Sequence, residues 1–131
     1  MKQLTVLADN KVGSMASILR ELAHHQINIK GISTERGNLS EIRLILDDPE
    51  NAKEILEKIN YTSHLVEVIV IELDNNPGEL SKITDIISTN KINIEYIYGI
   101  DNNNSATGLF AIHTSESTDK LKLLLKDFNL K

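Results

Sequence analysis

Two short stretches hold the residues best suited to grip a small molecule. Asp9-Asn10-Lys11-Val12-Gly13-Ser14 and Asp74-Asn75-Asn76-Pro77-Gly78-Glu79 each place an acid and an asparagine ahead of a glycine. A glycine there permits close backbone approach or a positive φ. A helix starting just after it would aim free amide hydrogens at an anion such as a carboxylate. An asparagine side chain adds one acceptor oxygen and two donor hydrogens. Asn10 and Asn75 therefore suit both ends of a zwitterion. The same residues also make ordinary turns and helix caps, and composition alone leaves both readings open. Asn28 and Asn93 form a second matched pair, each set between isoleucines. An amide in apolar surroundings must find partners, so it either closes a helix-to-strand loop or faces a ligand.

Other chemistries find little support. The chain has no cysteine, which removes disulfides, thiolate nucleophiles and thiolate metal sites. The four histidines are His24, His25, His64 and His113. Neighbours such as His24 and His25 do not share a helical face, and no metal site or cofactor is expected. No serine-histidine-acid set or paired nucleophile and base stands out, so no catalytic residue is assigned and the chain reads as a non-enzyme. Neither turn is a P-loop or a dinucleotide fingerprint. Net charge is -5, from 14 basic and 19 acidic residues, and Arg20, Arg36 and Arg43 are scattered. That argues against a nucleic-acid partner. No apolar run approaches the roughly 20 residues of a membrane span, and MKQLTVLADN lacks the features of a signal peptide. A cytoplasmic protein is expected.

The elements that must position these residues come from an internal repeat. A shift of 65 sets Asp9-Asn10 on Asp74-Asn75, Gly13 on Gly78, Ile18 on Ile83, Ile27-Asn28-Ile29 on Ile92-Asn93-Ile94, and Ile32 on Ile97. Beyond Gly37 the offset grows to 68, pairing Ile42 with Phe110 and Leu44 with Ile112. The extra residues fall near Asn102-Asn103-Asn104, a turn-like run. Each copy begins with a short strand, Leu4 to Ala8 or Ile69 to Leu73. Helical spacing follows in Met15, Ile18, Leu19 and Leu22, and in Leu80, Ile83, Ile86 and Ile87. Two more strands come next, and then a second helix. Its apolar stripe is Ala52, Ile55, Leu56 and Ile59, or Leu121, Leu124, Leu125 and Phe128, with Asp48 and Pro49 opening the first of these. The order is that of a split βαβ, ferredoxin-like unit. The fold class is α+β, with two βαββαβ domains over 1–67 and 68–131, antiparallel sheets and helices on one face. The run from His64 to Leu73 reads as the last strand of copy one passing almost directly into the first of copy two. Copy two has only Asn129, Leu130 and Lys131 left for its own last strand, which is absent or a stub. Tyr96 and Tyr98 share one face where copy one has Gly31 and Ser33. They form a complementary surface, a pocket wall, or packing under the helices.

The repeated turn, the helix after it and the Ile-Asn-Ile segments resemble the opening of an ACT domain, and the resemblance covers nearly the whole chain as a tandem pair. Pro77-Gly78 keeps the family's usual Pro-Gly, whereas Val12 replaces the proline in copy one. The resemblance implies a regulatory module that binds an amino acid or similar small molecule between paired ACT domains, as a homodimer acting on a separate partner protein. In the serine-sensing branch an Asn of the first turn and the Asn opening the second strand hold the amino acid. They match Asn10, Asn28, Asn75 and Asn93, with Gly13 and Gly78 beside the carboxylate. That branch also uses a histidine two places before the first Asn, where this chain has Ala8 and Leu73. The alternative is a structural or protein-interaction module with no small-molecule ligand.

Overall fold

A computed structural model of the chain describes residues 1–131 apart from Asn10 and Arg36. It divides into two compact units, 2–66 and Met1 with 67–131. Both are βαββαβ units with an antiparallel sheet and helices on one face.

The first unit runs β1 (Lys2–Asp9), α1 (Ser14–His24), β2 (Ile29–Glu35), β3 (Leu39–Leu46), α2 (Pro49–Lys58) and β4 (Thr62–Glu67). The strand order is β2-β3-β1-β4. Leu4, Val6 and Ala8 alternate along β1, so all three face the helices. Register sets Leu4 against Leu44 and Val6 against Ile42, pairing apolar side chains across the sheet. Ile18 and Leu22 of α1 and Ala52, Ile55 and Leu56 of α2 close this core. Asp48 caps α2 by accepting from the Asn51 N–H at 3.4 Å, and Pro49 opens the helix.

The second unit repeats the plan as β5 (Ile69–Asp74), α3 (Glu79–Thr89), β6 (Ile94–Ile100), β7 (Thr107–Thr114), α4 (Thr118–Leu124) and β8 (Asn129–Leu130), in the order β6-β7-β5-β8. Its core gathers Ile69, Ile71, Leu73, Ile83, Ile87, Ile112, Leu121 and Leu125. The last strand is the expected stub, pairing Leu130 with Ile71 and Asn129 with Glu72. Phe128 differs from its expected place on a helical stripe. α4 ends at Leu124, because the chain must turn back to lie along β5, yet the Phe128 ring still packs on the core. Tyr96 and Tyr98 do not lie under the helices. Their register partners are His113 and Ala111, on the sheet face opposite Ile112.

The repeated Ile-Asn-Ile segments have a backbone explanation. At the end of α1, Gln26 adopts φ 57, its N–H donates to the Ala23 carbonyl, and the Ile27 N–H donates to the Leu22 carbonyl. Lys91 at φ 58 does the same in copy two, with the Ile92 N–H on the Ile87 carbonyl. This is the left-handed helix stop in which an apolar residue beyond the end packs back on the last turn. Ile27 and Ile92 are those residues, and both are buried. The asparagines that follow then close the loop by backbone. The Asn28 carbonyl accepts from the Asp47 N–H and the Asn93 carbonyl from the Ser115 N–H.

One carboxylate ties down the stub. Glu72 accepts from the Thr107 hydroxyl at 2.7 Å, from the Asn129 amide at 2.7 Å and from the Lys131 ammonium at 2.7 Å. Lys131 first, and then Thr107, hold the Glu72 carboxyl below its ordinary value.

Two outcomes follow from these features. A left-handed conformation costs a non-glycine residue roughly 1–2 kcal/mol, partly offset by the greater chain entropy that glycine loses on folding. Lys91→Gly should therefore stabilise the protein by about 0.5–1 kcal/mol in urea denaturation, and a loss of stability would contradict the helix-stop account. For Glu72, a lowered folded value means its contribution is fully present above the free carboxyl value near about 4.3. It is lost as pH falls through the folded value. Glu72→Gln should lower stability at pH 7 and flatten the decline seen on acidification below pH 5. An unchanged acid profile would show that the carboxylate does not anchor β8.

Candidate ligand-binding site

Each first strand ends beside the start of the third, and a turn bridges the gap to a helix. In copy two, the Asn76 N–H donates to the Asp74 carbonyl at 2.9 Å and the Glu79 N–H to the Asn76 carbonyl at 3.4 Å. Asn75 is held to the loop after β6, its N–H donating to the Ala106 carbonyl at 2.9 Å and its side-chain amide to the Ser105 carbonyl at 3.4 Å. Gly78 then takes φ +95, and α3 begins with no side chain capping it. In copy one, Gly13 takes φ +91 and, among the described residues, no side chain caps α1. A side chain would be strained at either glycine, although a Cβ would meet no atom within 4 Å. Backbone conformation alone demands glycine there.

A pocket opens at each turn. In copy two it measures about 280 Å³ and is lined by Leu73, Asp74, Asn75, Asn76, Pro77, Gly78, Glu79, Leu80, Gly108 and Phe110. In copy one it measures about 210 Å³ and is lined by Ala8, Asp9, Lys11, Ser14, Met15, Ser40 and Ile42. Asn75 and Gly78 thus meet in one pocket. Gly13 forms the turn beside the other, and Asn10 lies outside the described residues. Asn28 and Asn93 are not brought there. They lie past the far ends of α1 and α3 and line neither pocket.

Charge differs between the two. Glu79 receives a 2.6 Å hydrogen bond from Lys82. That bond, with the attraction of Glu79 and then of Asp74, raises the Lys82 ammonium above its ordinary value. The first turn of α1 holds no acid.

Ser40 and Gly108 escaped the sequence reading, while Ser14 was visible only as part of the turn and Phe110 only as the repeat partner of Ile42. That they form pocket walls depends on strand register, which sets Ala8 beside Ser40 and Leu73 beside Gly108. Among the other marked residues, His113 bonds Glu95 at 2.8 Å and stacks on Tyr96 at 5.0 Å. A wider depression of about 490 Å³ lies between the end of α3 and α4, lined by Asn90, Ile92, Lys120, Leu123 and Leu124. Among the described residues, no group of three or more His, Asp or Glu is placed to hold a metal ion. No described helix is long and apolar enough to cross a membrane.

No curated protein sequence matches the chain. Among solved structures, protein BT0572 from Bacteroides thetaiotaomicron is similar with 28% identity and a TM-score of 0.89, over 99% of this chain and 90% of that one. The regulatory subunit of aspartate kinase from Thermus thermophilus follows with 16% identity and a TM-score of 0.70, over 96% and 91%. A structure of aspartokinase alpha and beta subunits gives 16% and 0.65, over 96% and 90%. The last two share the fold. The family model described as an ACT domain pair matches residues 1–130, and the chain belongs to that family.

Proposed function

We propose that this chain is a non-catalytic sensor that binds a free amino acid, or a similarly small zwitterion, at its strand-to-helix turns. ACT folds serve in general as ligand-binding regulatory units, and that general role fits both units of this chain. The carrying observation is the repeated pocket, with a left-handed glycine and an uncapped helix start in each copy. Volumes of about 210 and 280 Å³ lie below the roughly 300–1,000 Å³ of ordinary small-molecule sites. They suit a ligand of a few heavy atoms. Gly13 in copy one, and Asn75 with Gly78 in copy two, supply the turn side of the site, and the repeat assigns Asn10 the part of Asn75. Asn28 and Asn93 stand too far along the same unit to join them. Their part in the site requires a facing ACT domain, as in a homodimer. Binding that favours one arrangement of domains over another then acts as a switch, read by a separate partner protein.

A second reading is a protein-interaction module without a ligand. Exposed Val12, Ile32 and Leu39 favour it. A thermal-shift panel of the free amino acids at millimolar concentration separates the two. One amino acid should raise the melting temperature, since a ligand at 100 times its dissociation constant adds about 2.7 kcal/mol. Asn10→Ala or Asn75→Ala should weaken the shift, according to which unit takes the amino acid. A flat panel would overturn the amino-acid reading and leave the interaction module.

A further inference from the structure

The two pockets occupy equivalent places, yet their walls carry different chemistry. Position 14 in copy one corresponds to position 79 in copy two, and position 40 to position 108. Ser14 and Ser40 in one pocket are thus replaced by Glu79 and Gly108 in the other. Ala8 and Ile42 are replaced by the larger Leu73 and Phe110. Gly108 makes room for this change, because a Cβ there would come within 2.9 Å of the Phe110 ring. Charged lining residues differ as well. Copy one has one acid and one base, Asp9 and Lys11, whereas copy two has two acids, Asp74 and Glu79.

Ser14 supplies an independent sign of a ligand. It is the first residue of α1, only 6% exposed, and its hydroxyl oxygen has no hydrogen-bond partner among the described residues. A buried hydroxyl left unpaired is costly and rare in folded proteins. The side chain turns about a single torsion with three staggered wells, so the hydroxyl can swing toward the pocket it lines. The first-turn amides of an uncapped helix and its dipole favour negative charge at the same point. In copy two the equivalent residue is Glu79, which Lys82 pairs at 2.6 Å. With Asp74 also lining that pocket the balance there stays acidic, and a further anion would meet like charge.

We infer that copy one holds the anion-accepting pocket, taking a carboxylate against Ser14, Lys11 and the first turn of α1, while Glu79 closes the copy-two pocket to anions. This rests on the ligand-site reading above and makes it unequal between the copies. For a zwitterion, Asp9 offers the opposite charge to the ammonium group. The copy-two pocket, with Phe110 and two acids, suits an apolar or cationic group instead.

Acetate is the probe, titrated into 15N-labelled protein against sodium chloride at equal ionic strength. Amides 14–17 should shift saturably with acetate, and amides 79–82 should not. Ser14→Glu, which copies the residue of the second unit, should weaken the apparent affinity at least tenfold. Ser14→Ala should weaken it too, without adding charge. Glu79→Gln should create a saturable response at 79–82. Equal or stronger shifts at 79–82 in the unaltered protein would overturn the inference. So would shifts that match chloride, or indifference to both Ser14 variants. Saturable acetate shifts beside a flat amino-acid panel would sink only the amino-acid reading. An amino acid that binds and shifts only 79–82 would sink only this inference.

Discussion

Antiparallel pairing of each first strand with the third sets the geometry of both pockets. It places Ala8 beside Ser40 and Leu73 beside Gly108. The turn after the first strand must then rise past the start of the third, and the glycine at positive φ lets it do so within a few residues. The helix that follows begins over the pocket because its apolar stripe must return to the same sheet. Packing against the core thus aims the helix start at the pocket, and the aim needs no residue dedicated to it.

Duplication has kept the positions that hold this geometry and released those that do not. Gly13 and Gly78, Ile18 and Ile83, and Ile27 and Ile92 are retained because a turn, a core contact and a helix stop each depend on them. Wall positions such as 14 and 79 bear no such duty. A serine and a glutamate serve equally well as first residues of a helix, so charge can change there without disturbing the fold. The two units share a frame while offering different surfaces to a ligand.

Most of the frame was legible in the sequence. The 65-residue spacing exposed the repeat, and strand and helix periods filled it in. Residues 64–73 read correctly as two strands meeting with almost no connector, since β4 ends at Glu67 and β5 begins at Ile69. Loop closure was one of the two readings open for Asn28, but not that its backbone carbonyl would provide it, because the left-handed stop rests on Gln26, a residue with no preference for that conformation. Phe128 was misplaced because an apolar residue at helical spacing can reach a core from a turn as well as from a helix. The pocket walls were least legible. Ser14 and Ser40 lie 26 residues apart, and only strand register brings them together.

The carboxylate of Glu72 has a consequence beyond anchoring the stub. Thr107, which bonds Glu72, also accepts from the Asn102 amide at 2.8 Å. Asn102 and Asn104 in turn receive the 104 and 106 backbone N–H groups, and the Ala106 carbonyl receives the Asn75 N–H. An unbroken chain of hydrogen bonds therefore joins Asn129 and Lys131 to the wall of the copy-two pocket. Thermodynamic reciprocity applies to any such pair of sites. Whatever free energy tail docking contributes to the shape of that pocket, filling the pocket returns to the docking of the tail in equal measure.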